Sequence, residues 1–498
     1  MKTTRLSWFV LISLFLLLTS SAFPASAQVD IPTIDDYIEE AMQTIPIPGL
    51  ALVVVKDGQV AYMKGYGEAG PDGSPVTPQT PFHLGSAGKT FTALAIMQLA
   101  NQGKVELSAP VKQYLPEFTV ANGEEVACKI TLIKLLNHQS GFSRMDGGQS
   151  VAYDPGKSLD DMVEWISTIE QKNPVGKVEY SNLNFILLGA VVQRVSEMDY
   201  REYVHENILQ PLGMDNTYFS DVEAEQNGAA QGYQMMFGFP AAVDFVFPTG
   251  QIPAGFVYSS AEDMAKYLMM YLNDGFLGEE QFIQPLGSGM KTGYFTEYWQ
   301  WISGKAYGER RGHEGGTVNF NSQILYEPDR QTGVVILTNS HPSSDFPNAP
   351  SVNPIANGVL NIALGQHPVP LSDGGFRDDV LHRNLVSGVF LAIALADLIT
   401  SLVVWPKLFK KSSRFLKVLF FFLLGLDILV FLVFLIGVPI LTGLGWITVL
   451  KYFISERVLL FGTLGILVLF SAVAKLVLRF QFEKTKAGIR ISVKSPAG

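Results

Sequence analysis

The sequence predicts a mixed α/β domain, with an antiparallel sheet flanked by helices and a helical lobe inserted into it, followed by three transmembrane helices. Three observations carry this. A hairpin pattern stands near each end of residues 28–364, helical patterns fill the stretch between them, and three long apolar runs follow.

The chain has 498 residues, with 36 Lys and Arg against 46 Asp and Glu, for a formal net charge of −10. Charged residues make up 16% and hydrophobic ones 48%, where soluble domains carry roughly 25% charge. Part of the chain is therefore expected outside water. The composition excludes a disordered chain, and the absence of a basic surplus argues against a nucleic-acid partner. The single cysteine, Cys128, excludes an intramolecular disulfide framework and a thiolate metal cluster. It lies among Val126, Ala127 and Ile130 and is expected to be an inert buried residue.

Residues 1–27 read as a secretory signal peptide. A basic start is followed by an apolar stretch from Leu6 to Leu18 and by Ala25-Ser26-Ala27, an Ala-x-Ala cleavage site. An uncleaved anchor helix is the alternative. No cysteine follows the apolar stretch, which argues against a lipid anchor, and the mature chain is expected to start near Gln28 outside the cytoplasm.

The domain at 28–364 opens on a hairpin, Leu50–Lys56 and Gln59–Lys64 around Asp57-Gly58. Helical patterns follow at Phe91–Leu99, Asp160–Thr168, Phe185–Val195 and Ala261–Leu272. A second hairpin, Ser322–Tyr326 and Gly333–Thr338, turns through Pro328-Asp329. Strands at both ends imply a sheet closed by the two ends of the domain. His341–Pro354 reads as a loop, and 365–384 as the linker to the membrane.

Within 385–478, the runs Leu385–Val404, Val418–Leu441 and Val458–Leu478 are each near the roughly 20 residues a spanning helix needs. Lys407, Lys410, Lys411, Arg414 and Lys417 separate the first two, and the 479–498 tail carries Arg479, Lys484, Lys486, Arg490 and Lys494. The positive-inside bias puts both basic segments in the cytoplasm and the domain before Leu385 outside, in agreement with the signal peptide. Asp397 and Asp427 fall within the runs. They read as bundle-facing or partner-facing polar contacts, with a proton relay as the alternative.

The chemistry starts at Ser86. It opens a helix that is apolar nearly all round, with Lys89 three residues on and on the same face. A serine hydroxyl needs a base, and a buried lysine beside another cation is pushed towards the neutral amine that can serve. The Ser86 amide, at a helix start, is a candidate oxyanion donor. A second Ser-x-x-Lys, Ser288–Lys291, lies in Gly-rich sequence with no helix to support it.

Tyr180-Ser181-Asn182 is the second element. A phenol there can relay a proton between nucleophile and leaving group, and Asn182 can orient Lys89 or hold a substrate carbonyl. Tyr271-Leu-Asn273 repeats the pattern but ends an amphipathic helix, where it is ordinary capping and core. The third element, His313-Glu314-Gly315-Gly316-Thr317, leads into the last hairpin. Its consecutive glycines allow close backbone approach, and the Gly316 amide is a second candidate donor. A Gly-rich turn with a solvated His is the plain alternative. Lys291-Thr-Gly293 competes for the role but leads into no strand.

In this order the three elements resemble the serine β-lactamase/penicillin-binding protein superfamily, and more narrowly its class C-like serine hydrolases. Ile130–Gly141, Tyr180–Val195, Gln210–Thr217, Pro253–Asp263 and Gly312–Asn339 are also similar to segments of that family, over about residues 30–340. The resemblance implies a β-lactamase/transpeptidase-like fold, acylation of Ser86 activated by Lys89, proton transfer by Tyr180 near Asn182, and His313 where many members have Lys or His. It implies an oxyanion hole from the Ser86 and Gly316 amides, beside Gly315, with no metal and no cofactor. Two departures stand out. His-Glu-Gly replaces Lys-Thr-Gly, which weakens a β-lactamase assignment, and Gly88 stands where Ser or Thr is frequent.

His83 and His138 are not expected to belong to a Ser-His-Asp triad, since no Gly-x-Ser-x-Gly occurs; turns or helix ends account for them. The expected function is a membrane-anchored extracytoplasmic serine hydrolase acting on a small peptide, amide or ester, D-amino-acid or cell-wall peptides included. The competing class is a non-hydrolytic binding or sensor module signalling through the helices, but Ser86, Lys89 and Tyr180 are all retained. A transporter is disfavoured, because three helices rarely enclose a pathway.

Overall fold

The computed structural model describes residues 29–492, apart from 154–155, 245–247, 274, 278–279, 282–309, 343–350, 409–412 and 443–455. The segment read as a signal peptide, both competing copies at Ser288–Lys291 and Lys291–Gly293, and the end of the basic tail lie outside the described residues.

In chain order the main elements of the domain are α1 (Ile31–Thr44), β1 (Gly49–Lys56), β2 (Gln59–Gly67), α2 (Lys89–Asn101), α3 (Leu183–Ser196), α4 (Ala261–Leu272), β3 (Arg311–Gly316), β4 (Asn321–Glu327), β5 (Thr332–Thr338) and α5 (Asn353–Ala363). The five strands form one antiparallel sheet in the order β2-β1-β5-β4-β3, so the hairpins from the two ends of the domain meet at its centre. Asp57 and Gly58 both take positive φ, 52° and 74°, as a tight two-residue hairpin turn requires.

Side chains of successive strand residues point to opposite faces, and here that alternation builds two cores. Leu50, Leu52 and Val54 of β1, with Val334 and Ile336 of β5, pack under α1 and α5. Ala51, Val53 and Val55, with Val335 and Leu337, pack against α4 and the helical lobe. The sheet is therefore sandwiched, which is why β1 is apolar without a break rather than alternating. The expected helices form at Leu159–Ser167, α2, α3 and α4. α4 is started by Ser260, whose hydroxyl accepts from the Asp263 amide at 3.1 Å.

Three expectations need correction. Cys128 is exposed, because it terminates the short helix Glu124–Ala127 and Ala127 takes the core position instead. The stretch to Pro354 is not all loop: α5 starts at Asn353, with Pro354 in its first turn, where a missing N–H costs nothing. The linker is shorter than 365–384, since the next helix, α6 (Phe376–Ile399), begins at Phe376 behind an Asp373 turn.

α6 continues through a π-helical turn at Thr400–Val404 to Leu408, and is followed by α7 (Arg414–Thr442) and α8 (Glu456–Ser492). Three stretches, Phe376–Leu408, Arg414–Val433 and Gly462–Gln481, are long and apolar enough to cross a membrane. Their apolar side chains point outward, Leu385, Phe390, Phe422 and Phe470 among them, while Asp427 and Lys475 are buried between the helices. That inversion suits a hydrocarbon surrounding.

Candidate active site

Ser86 sits in a turn of 3-10 helix, Gly85–Gly88, that runs directly into α2. In such a turn residues three apart eclipse, which stacks Lys89 under Ser86. The Lys89 ammonium lies 3.1 Å from Ser86 Oγ, and the Tyr180 hydroxyl lies 2.6 Å from the same oxygen. The Ala254 carbonyl accepts a further hydrogen bond from Lys89. Lys89 is fully buried, 5.1 Å from the Tyr180 ring centre and 5.8 Å from that of Phe185. Burial lowers its pKa, the Arg144 guanidinium adds to the effect, and Tyr180 opposes it.

Tyr180 is held from behind. The His138 ring stacks on it at 4.5 Å, and His138 Nδ1 accepts from the Ser181 amide at 3.2 Å and pairs with Asn184 at 2.9 Å. His138 therefore does cap the start of α3, as expected, but it also lines the pocket. Asn182 lines the pocket too, and its buried Oδ1 has no hydrogen-bond partner among the described residues. Tyr271 lies elsewhere, against Tyr267 in the core.

The third element forms strand β3, with His313 opposite Ile324 and Gly315 opposite Ser322. β3 packs directly on the turn that bears Ser86. Ser322 Oγ donates to the Leu84 carbonyl at 2.6 Å, Asn321 holds the Gly315 carbonyl at 2.6 Å, and a Cβ added to Gly315 would come within 1.9 Å of Leu84 O. Only glycine permits this approach. The same logic explains Gly88: a Cβ there would lie 2.5 Å from Val257 and 3.0 Å from the Gly255 Cα, so no Ser or Thr fits.

His313 is buried, and its Nδ1 lies 2.6 Å from the Glu314 carbonyl. A carbonyl only accepts, so Nδ1 carries the hydrogen and Nε2 is an acceptor. Burial, with the Lys89 charge, pushes its pKa down to about 3, so it brings no positive charge to the site at neutral pH. His83 is likewise pushed to about 3 by burial; its Nδ1 accepts from the Gly85 amide at 3.0 Å and steadies the Ser86 turn.

These groups surround a cavity of about 650 Å³ lined by Ser86, Tyr180, Asn182, His313, Glu314 and Gly316. Arg144 and His341 complete its walls. Arg144 lies 5.6 Å from the Tyr180 ring, and His341 packs on Gly316 while bonded to the Thr317 carbonyl at 2.6 Å. The sequence motifs locate Ser86, Lys89, Tyr180, Asn182, His313, Gly315 and Gly316, and the fold brings all seven together. They do not reveal the roles of Ala254, Arg144 and His341. Ala254 and its neighbours stand out only as a similar segment, and nothing local marks the other two.

A family model described as Beta-lactamase matches residues 34–355. Protein flp of Staphylococcus aureus (strain MW2) is 29% identical over 320 residues, which cover 61% of this chain and 62% of that relative. Unguisins hydrolase ungD' of Aspergillus campestris is 28% identical over 365 residues, 67% of this chain and 66% of that protein. The octameric penicillin-binding protein homologue from Pyrococcus abyssi superposes with a TM-score of 0.56 at 27% identity, over 68% of this chain and 78% of that one.

Proposed function

From the premise that the chain belongs to the beta-lactamase family, we propose that it is a serine hydrolase acting through an acyl-enzyme on Ser86, held at the outer face of the cytoplasmic membrane by α6–α8. The observation that carries this reading is the position of Ser86 Oγ, within hydrogen-bond reach of both a buried amine and a phenol.

Lys89, as the neutral amine its burial favours, takes the Ser86 proton. Oγ attacks the substrate carbonyl carbon, and the oxyanion is received by the amides of Ser86 and Gly316. Collapse expels the amine or alcohol, which takes its proton through the Tyr180 hydroxyl. Water then attacks the acyl carbonyl by the same route in reverse and frees Ser86. His138 and Asn184 position the tyrosine segment; Asn182 Oδ1, without a partner among the described residues, is available to a substrate N–H.

The β3 wall carries a His313 that is neutral at neutral pH. It offers no charge to a substrate carboxylate there, so this wall favours uncharged amide and ester acyl groups over a β-lactam. The relative named as a hydrolase supports hydrolysis. The basic segments around Lys410 and Lys484 support an extracytoplasmic domain.

The test is labelling of the full chain with a fluorophosphonate, with Ser86→Ala as control, followed by ester, D-amino-acid amide and D-Ala-D-Ala peptide panels. The expected result is an adduct mapped to Ser86 by mass spectrometry and turnover abolished by Ser86→Ala. Absence of label on the folded wild type would overturn the reading in favour of a binding module.

A further inference from the structure

The membrane bundle holds a built polar cluster that the hydrolase chemistry does not use. Asp397 comes from α6, Asp427 from α7 and Lys475 from α8, so each helix contributes one charge. Lys475 Nζ lies 2.9 and 3.2 Å from the two Asp397 oxygens and 2.6 Å from Asp427 Oδ2. Ser471 of α8 donates to Asp397, and Ser401, in the turn that continues α6, lies 2.8 Å from Ser471 Oγ. The Lys475 side chain is fully buried, that of Asp427 is 9% exposed and that of Asp397 26% exposed. The next cation along α8, Arg479, stands over the Phe421 ring of α7 at 4.6 Å.

One cation faces two carboxylates, so with all three groups ionised the cluster carries a net charge of −1. A charge buried among apolar helices without compensation is strongly disfavoured, and the group neutralises instead. We propose that the bundle is a proton-binding site, in which one proton resides on the Asp397/Asp427 pair and makes the triad neutral. This proposal is independent of the chemistry at Ser86.

The test is infrared spectroscopy of the full-length protein in lipid nanodiscs at neutral pH, with aspartate carrying a 13C side-chain carboxyl so that its C=O stretch is identified. A protonated carboxyl absorbs apart from a carboxylate and shifts in heavy water. In the wild type, one aspartic acid signal is expected from the triad. Asp427→Asn and Asp397→Asn each leave one carboxylate balanced by Lys475, so each should lose that signal. Lys475→Met leaves two carboxyls and no cation, so it should gain a second. If both aspartate variants keep the wild-type acid signal, or if an inserted Lys475→Met shows no gain, the proposal is overturned. Should Lys475→Met fail to insert, the two aspartate variants decide alone.

Discussion

Replacing Gly315 with alanine tests how tightly strand β3 must press on the nucleophile turn. The added methyl would lie 1.9 Å from the Leu84 carbonyl oxygen, 2.5 Å from Ser322 Oγ and 2.8 Å from the Ala87 amide. Real Cβ atoms stay beyond 3.0 Å. Two of the obstructing atoms are backbone of the turn that bears Ser86, so strand and turn must part by about 1 Å, a displacement that costs on the order of 100-fold when it misplaces a catalytic group. Forcing a methyl into a packed contact costs about 1–3 kcal/mol of stability. The assay is the second-order rate of fluorophosphonate labelling at Ser86, with thermal unfolding of the same samples. Gly148→Ala is the control, because Gly148 lines the cavity with nothing within 4 Å of an added Cβ. Its labelling rate should stay within a few-fold of wild type. If Gly315→Ala labels at the wild-type rate and melts at the wild-type temperature, the close strand contact does not set the oxyanion geometry.

Other consequences follow from the same site. Lys89→Met should slow labelling by about 100- to 10,000-fold, the usual worth of a positioned base; a near-normal rate would remove Lys89 from that role. On the proposed mechanism activity requires the neutral amine, so it should fall as pH drops through the lowered Lys89 pKa. Arg144→Gln removes one of the groups that lower it and should move this acidic limb to higher pH, and an unmoved or lowered limb would contradict the electrostatic coupling. His83 and His313 stay neutral in the folded state down to about pH 3, while the unfolded rings take protons near 6.5. Stability is then full above pH 6.5 and is lost as pH falls towards 3. By pH 4.5 the loss is about 3 kcal/mol for each ring. Melting curves across this range should show the slope, and His83→Asn, which keeps an acceptor for the Gly85 amide, should flatten it.

The hairpins, α2 and the Ser86–Lys89 pair were legible because each is a local pattern: a turn dipeptide between β-rich runs, or two residues on one helix face. Tyr180 and His313 were legible as short motifs beside a helix and a strand. The Ala254 carbonyl, Arg144 and His341 were not, since each reaches the pocket from a connecting segment whose path depends on tertiary packing rather than on its own residues. Cys128 was misjudged because apolar neighbours say nothing about where a short helix ends. Asp397 and Asp427 stood out as carboxylates in apolar runs, but Lys475 as their shared partner depends on the rotation of three helices about their axes.

The strand order has a consequence for the timing of biogenesis. β1 is made early and β5 late, yet they are neighbours at the middle of the sheet. Ser86 likewise emerges long before the β3 glycines that complete its surroundings. A nascent chain of this topology carries Ser86 without its complete pocket until the final hairpin has docked. Such long-range pairing is slow to form, so the pocket is completed only after Thr338 has been made, with the three long apolar helices still to follow.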